Sequence, residues 1–165
     1  MSGSEPWLRG ILPDLDPVIG HLVRAGEHIR EDLRTAIAPL EFREIWATPN
    51  GMTSVGFHAK HLAGSSGRLC AYLEGRGLTE EEIAAIGDES TGDEYAAQLI
   101  SLVDDALDLY ERHVRALQPG DFASIRYVGR ARLPVTAISL AIHIAEHGQR
   151  HVGQVISAAN LAHHD

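Results

Sequence analysis

Ten histidines occur in this chain of 165 residues, and five of them fall in two short stretches, FHAKHL and AIHIAEHGQRHVGQ. In the second, His143, His147 and His151 recur every four residues. Residues four apart on an α-helix lie one above the other. An imidazole pair at that spacing can therefore turn two ring nitrogens toward one ion about 2.0–2.1 Å away. A helical pair supplies only two ligands, so a third must come from a facing helix. His58 and His61 in the first stretch offer it. Spacing alone does not choose between them, because both share a broad face with Leu62, Ser65, Leu69 and Tyr72.

The histidine stripe also carries aliphatic residues. At about 100° per residue, Leu140, Gln154 and Ala158 fall within about 40° of His147, and Ile144 lies close by. A polar stripe on a core-facing surface needs partners, since each buried group left unpaired costs roughly 1–3 kcal/mol. A bound metal meets that need. His58, His143 and Gln154 are then candidates for contacts that support the ligands, and Gly153 reads as a point of close packing. Glu146 points about 100° away from the ligand direction, toward a neighbour or solvent.

Two rival metal chemistries fail on spacing. A zincin protease needs H-E-x-x-H, with the glutamate as general base, and the corresponding residue here is Gly148. A di-iron bundle needs Glu-x-x-His motifs and further inward glutamates. Helix two has no carboxylate between His58 and Glu74, and helix four has Glu146 alone. Cys70 lies nine residues past His61, about 180° around the helix, and reads as an inert, buried thiol. Arg68 lies roughly in line with His61 and reads as an exposed arginine or as a contact for an anionic substrate group. Trp46, Tyr127 and the 124–133 segment could line an entrance.

Four helical segments must position these residues. The first opens at Asp16 with Pro17 in the first turn, carries Val18, Leu22, Ala25, Ile29, Leu33 and Ile37, and stops at Pro39. The second starts from Thr53 or Ser54 and ends at Gly75. Thr79 with Glu82 caps a short turn inside a long connection. Thr91 with Glu94 is expected to open the third helix, whose stripe reads Tyr95, Leu99, Leu102, Ala106, Leu109 and Leu117 before Pro119-Gly120. Residues 124–133 suggest a small β-hairpin, and Pro134 is expected to begin the fourth helix, which reaches about Ala162. No repeat or linker divides the chain. The fold class is therefore all-α, a four-helix bundle over residues 1–165, with a long crossover between helices two and three.

Apolar residues make up 44% and charged residues 22% of the chain, with no run long enough to span a bilayer. The net charge of −9 disfavours nucleic acid and anionic membranes as partners. The N-terminus lacks a basic segment followed by an apolar one, and the single cysteine suits a reducing compartment. Both point to the cytoplasm.

HGQRHVGQ in the last helix, with an upstream histidine before leucine, resembles the DinB-like (DinB/YfiT) superfamily. The resemblance spans nearly the whole chain. It implies a four-helix bundle and a divalent metal, zinc or nickel most commonly and iron in some cases. The ligands it implies are His61, which precedes Leu62, with His147 and His151, and Gly153 and Gln154 complete the motif. Members include metal-dependent enzymes that attach or remove small thiols such as bacillithiol or mycothiol. The expected activity is thus a thiol S-transferase acting on small electrophiles. The alternatives are a non-catalytic metal-binding, sensor or accessory protein, and a metal-dependent small-molecule hydrolase or isomerase. Ile138, Ile142, Val152 and Ile156 form a second apolar stripe opposite the histidines. It needs a cover, and the expected one is a second chain, giving a homodimer; the alternatives are the 124–133 hairpin and the N-terminal segment around Trp7, Leu8, Ile11 and Leu12.

Overall fold

The computed structural model describes residues 3–163. Four long helices form the bundle: α1 (Pro17–Ile37), α3 (Val55–Glu74), α5 (Ala96–Ala116) and α6 (Ala137–Ala162). Two short helices, α2 (Phe42–Trp46) and α4 (Glu80–Ala84), lie in the connections. The long crossover between α3 and α5 carries α4 and a 3-10 turn, Ala85–Ser90.

Local chemistry sets the helix ends. The Asp16 side chain accepts from the Val18 N–H, and Pro17 occupies the first turn, where its missing N–H costs nothing. The Ser54 hydroxyl accepts from the Phe57 N–H. Gly75 closes α3 in the left-handed region at φ 96°, which a side chain would strain. Thr79 and Glu82 form the expected capping box of α4.

Two starts differ from expectation. α5 opens at Tyr95, whose N–H donates to the Gln98 side chain at 2.8 Å. Glu94 is drawn away to Lys60, also at 2.8 Å. The buried stripe of α5 is Leu99, Val103, Leu107, Tyr110 and Val114, one position round from the expected one, and Tyr95 and Leu102 are exposed. In this rotation Asp104 and Asp108 pair with Arg30 of α1, and Asp104 also pairs with Arg34.

Pro134 does not start α6. It lies in a hairpin of β1 (Ile125–Val128) and β2 (Leu133–Thr136), paired with Tyr127, and Thr136 caps the helix by accepting from Ser139. Proline suits a short edge strand as well as a first helical turn. The hairpin is tied to the bundle by the Arg126 guanidinium, which donates to the Leu73 carbonyl at 2.6 Å.

The core has two parts. One joins Ile29, Leu33, Ile37, Leu62, Leu99, Val103, Val152 and Val155, and the other joins Ile19, Leu22, Val23, Cys70, Tyr110, Val114, Leu140 and Ile144. The second stripe of α6 is split. Val152 belongs to the first part of the core, Ile138 packs against the second, and Ile142 and Ile156 remain exposed. The N-terminal segment packs along α1, with Leu12 against Gly20. No helix among the described residues is long and apolar enough to cross a membrane.

Candidate metal centre

α3 and α6 pack side by side and bring the two histidine stretches face to face. One nitrogen each of His61, His147 and His151 lies within 4.8 Å of the others. Ligands of one ion stand at most about 4.2 Å apart, so small ring rotations close the set. The ring centroids are 4.6 Å apart for His147 and His151, 4.8 Å for His61 and His151, and 5.3 Å for His61 and His147.

Each ring meets a protein partner through Nδ1. His61 Nδ1 is 2.7 Å from Glu89 Oε2. His151 Nδ1 is 3.1 Å from His58 Nδ1, so one of the two donates to the other. His147 Nδ1 is 3.3 Å from Ser65 Oγ. Because the Ser65 hydroxyl donates to the Leu62 carbonyl at 3.2 Å, its oxygen is left to accept from His147 Nδ1–H. The shared pattern engages Nδ1 of each ring, which makes Nε2 the nitrogen that an ion would take.

His58 and His151 are buried, at 5% and 7% exposure, whereas His61 and His147 are half-buried, so the cluster opens on their side. Burial, then the neighbouring His147, His61 and His58, pushes His151 down to about 4. Burial first and then nearby positive groups also lower His147, and burial lowers His58. All three are therefore neutral at pH 7, the form that donates a lone pair to a metal.

The sign of the pH effect follows. Between pH 6.5 and about 4 the unfolded chain takes up a proton at residue 151 that the folded chain refuses. Folded stability is thus present above pH 6.5 and is lost as pH falls through this window. Thermal melts in chelator should show the midpoint dropping across it. His151→Gln should flatten that part of the profile, and an unchanged profile would refute the assignment.

The other candidates fall outside the cluster. His143 is exposed, with its ring 5.9 Å from His147 and its Nδ1 3.9 Å from Glu146. Gln154 is exposed, and Gly153 faces open space rather than the close packing expected of it. At Gly148, where a zincin carries glutamate, an added Cβ would lie 2.7 Å from Ile29 Cδ1, so this position faces α1. Cys70 is buried and its thiol is pushed up to about 12 by that burial. Arg68 is not an exposed arginine. It is half-buried and donates to Glu89 Oε1 at 2.7 Å. Trp46 donates to the Glu94 carbonyl at 3.1 Å and packs against Gly56 and Gly92, which anchors it rather than leaving it at an entrance. Tyr127 is exposed, with Arg132 stacked over its ring.

Glu89 is the residue that sequence reasoning missed. It sits in a 3-10 turn without periodicity, and the one available signal was Arg68, a charge in line with His61 that needed a partner.

The family model of the DinB superfamily matches residues 18–155, and the chain belongs to this superfamily. Among solved structures it is similar to YfiT from Bacillus subtilis, described as a probable metal-dependent hydrolase with an unusual four-helix bundle topology. The two share 17% identity with a TM-score of 0.62 over 86% of each chain, a likeness of fold. No curated protein matches the sequence.

Proposed function

We propose that His61, His147 and His151 bind one divalent metal ion through Nε2, and that the centre serves a small-molecule thiol S-transferase. The observation carrying the metal reading is the convergence of three imidazoles, each with its Nδ1 already engaged by the protein. With His151 donating to His58, all three rings take the tautomer that leaves Nε2 unprotonated. Zinc or nickel suits three neutral nitrogen ligands, and iron is the third choice. A divalent ion held this way keeps its full charge and favours the ionised form of a thiol or water bound beside it.

The protein's own residues favour a thiol. Hydrolysis gains from a carboxylate poised to take a proton from water. Of the acids near the cluster, Glu89 is engaged by His61 and Arg68, and Glu146 is exposed beside His143. A thiol is acidic enough to react without such a base. Hydrolysis is the second reading, favoured by the description of the Bacillus subtilis protein.

Elemental analysis of the purified protein should find about one metal ion per chain. Turnover of a model electrophile should require both the metal and a low-molecular-weight thiol. Metal-dependent ester or amide cleavage without thiol would favour the hydrolase, and metal without turnover on either panel would leave a binding protein.

The ion should also add stability. Binding only to the folded state contributes about 2.7 kcal/mol at a hundredfold excess over Kd. The bundle core is mostly aliphatic and independent of the histidines, so the helices should persist in chelator with a lower melting midpoint. Loss of helical circular dichroism in chelator at room temperature would contradict this.

A further inference from the structure

The crossover inserts one acid into the bundle. Glu89 is 5% exposed, although the acids around it in sequence (Glu80, Glu81, Asp88) are exposed. Its Oε2 meets His61 Nδ1 at 2.7 Å and its Oε1 meets Arg68 Nη1 at 2.7 Å, so both oxygens are used. Gly64 makes room for it: an added Cβ there would lie 2.5 Å from Oε1 and 2.8 Å from Arg68 Nη1. On the ring's face, Phe57 stacks on His61 at 5.4 Å with 13° between planes. The ring is thus fixed in plane by Phe57 and about its axis by Glu89.

We propose that Glu89 is the positioning residue of the centre. It holds His61 in the Nδ1–H tautomer and turns Nε2 toward His147 and His151, while Arg68 holds the carboxylate in place. The proposal rests on the metal reading above. The other two rings have neutral partners, Ser65 and His58. His61 alone has a carboxylate, which raises the basicity of the ring it receives from.

A purely structural role, with Glu89 tying the crossover to α3 through Arg68, makes a different prediction. Two double variants of the full chain separate them. Arg68→Met with Glu89→Leu removes the buried ion pair as a unit, a replacement folded proteins often tolerate. Arg68→Met with Glu89→Gln also lacks the ion pair but keeps an oxygen that accepts from His61 Nδ1. Zinc affinity is read by competition with a chromophoric chelator, and cobalt substitution reports ligand geometry through its visible absorption.

The leucine variant should bind zinc about 10–100-fold more weakly than wild type, with an altered cobalt spectrum. The glutamine variant should recover most of that loss and restore the spectrum. Equal zinc affinities for the two variants would overturn the proposal, as would a leucine variant of wild-type affinity. Wild-type protein that binds no zinc, nickel or cobalt would instead sink the metal centre itself.

Discussion

Replacing His151 by alanine should remove zinc binding at micromolar concentrations, and so should His61→Ala and His147→Ala. The size follows from ligand number. Structural zinc sites with four ligands bind with roughly 10–16 kcal/mol, or about 3 kcal/mol per ligand, so loss of one ligand costs on the order of a hundredfold or more. A three-ligand site has less to spare. His151 should show the largest loss because it is the most enclosed of the three, with its Nδ1 on His58 and rings of His61 and His147 on either side. His58→Ala should cost less than any ligand, since it removes only a support. His21, His28 and His113 lie away from the cluster, and their alanine variants should bind like wild type. A triple His61, His147, His151 alanine variant that kept stoichiometric metal through chelation would refute the assignment. A His58 variant that lost metal while His61→Ala kept it would move the third ligand one turn along α3.

What could be read from the sequence was whatever local chemistry enforces. Asp16-Pro17, Ser54 and Gly75 act on their own backbone neighbours, so their roles show in a few residues. The four-residue spacing of His147 and His151 is likewise a local property of α6. The rotation of α5 was not legible. Leu99 belongs to two overlapping stripes, one through Leu102 and Leu109 and one through Val103 and Leu107; the second is buried, and the pairing of Asp104 and Asp108 with α1 accompanies it. The choice between His58 and His61 was beyond spacing for a similar reason. Both reach the cluster, and His58 does so behind His151, a relation set by how α3 meets α6. Glu89 lies 28 residues from His61 in sequence. Its burial depends on how the crossover folds back, which no helical period encodes. Gln154 shows the opposite failure, since a favourable angle on the helix did not bring it to the cluster.

The largest loss of stability away from the metal should come from Tyr110→Ala. Tyr110 is completely buried, and its ring packs 3.5 Å from where a Cβ on Gly26 of α1 would lie. Its hydroxyl donates to the Ala141 carbonyl of α6 at 3.3 Å. One side chain on α5 thus joins three helices, and burial pushes its phenol well above the usual range, so it stays protonated and able to donate. Truncating a large buried aromatic leaves a cavity and costs about 3–5 kcal/mol. At about 2–4 °C per kcal/mol for a chain of this size, the melting midpoint should fall by roughly 6–20 °C. Tyr110→Phe keeps the packing and should lose only about 1 kcal/mol, the net worth of one hydrogen bond. Tyr110 belongs to the part of the core around Leu140 and Ala141, whereas Leu62 and Val152, beside His61 and His151, belong to the other part. Zinc affinity measured below the lowered midpoint should therefore stay within a few-fold of wild type. A Tyr110→Ala protein that melts normally would show that the core collapses around the gap. One that melts early and also loses metal would show that the two parts of the core hold the histidine cluster together.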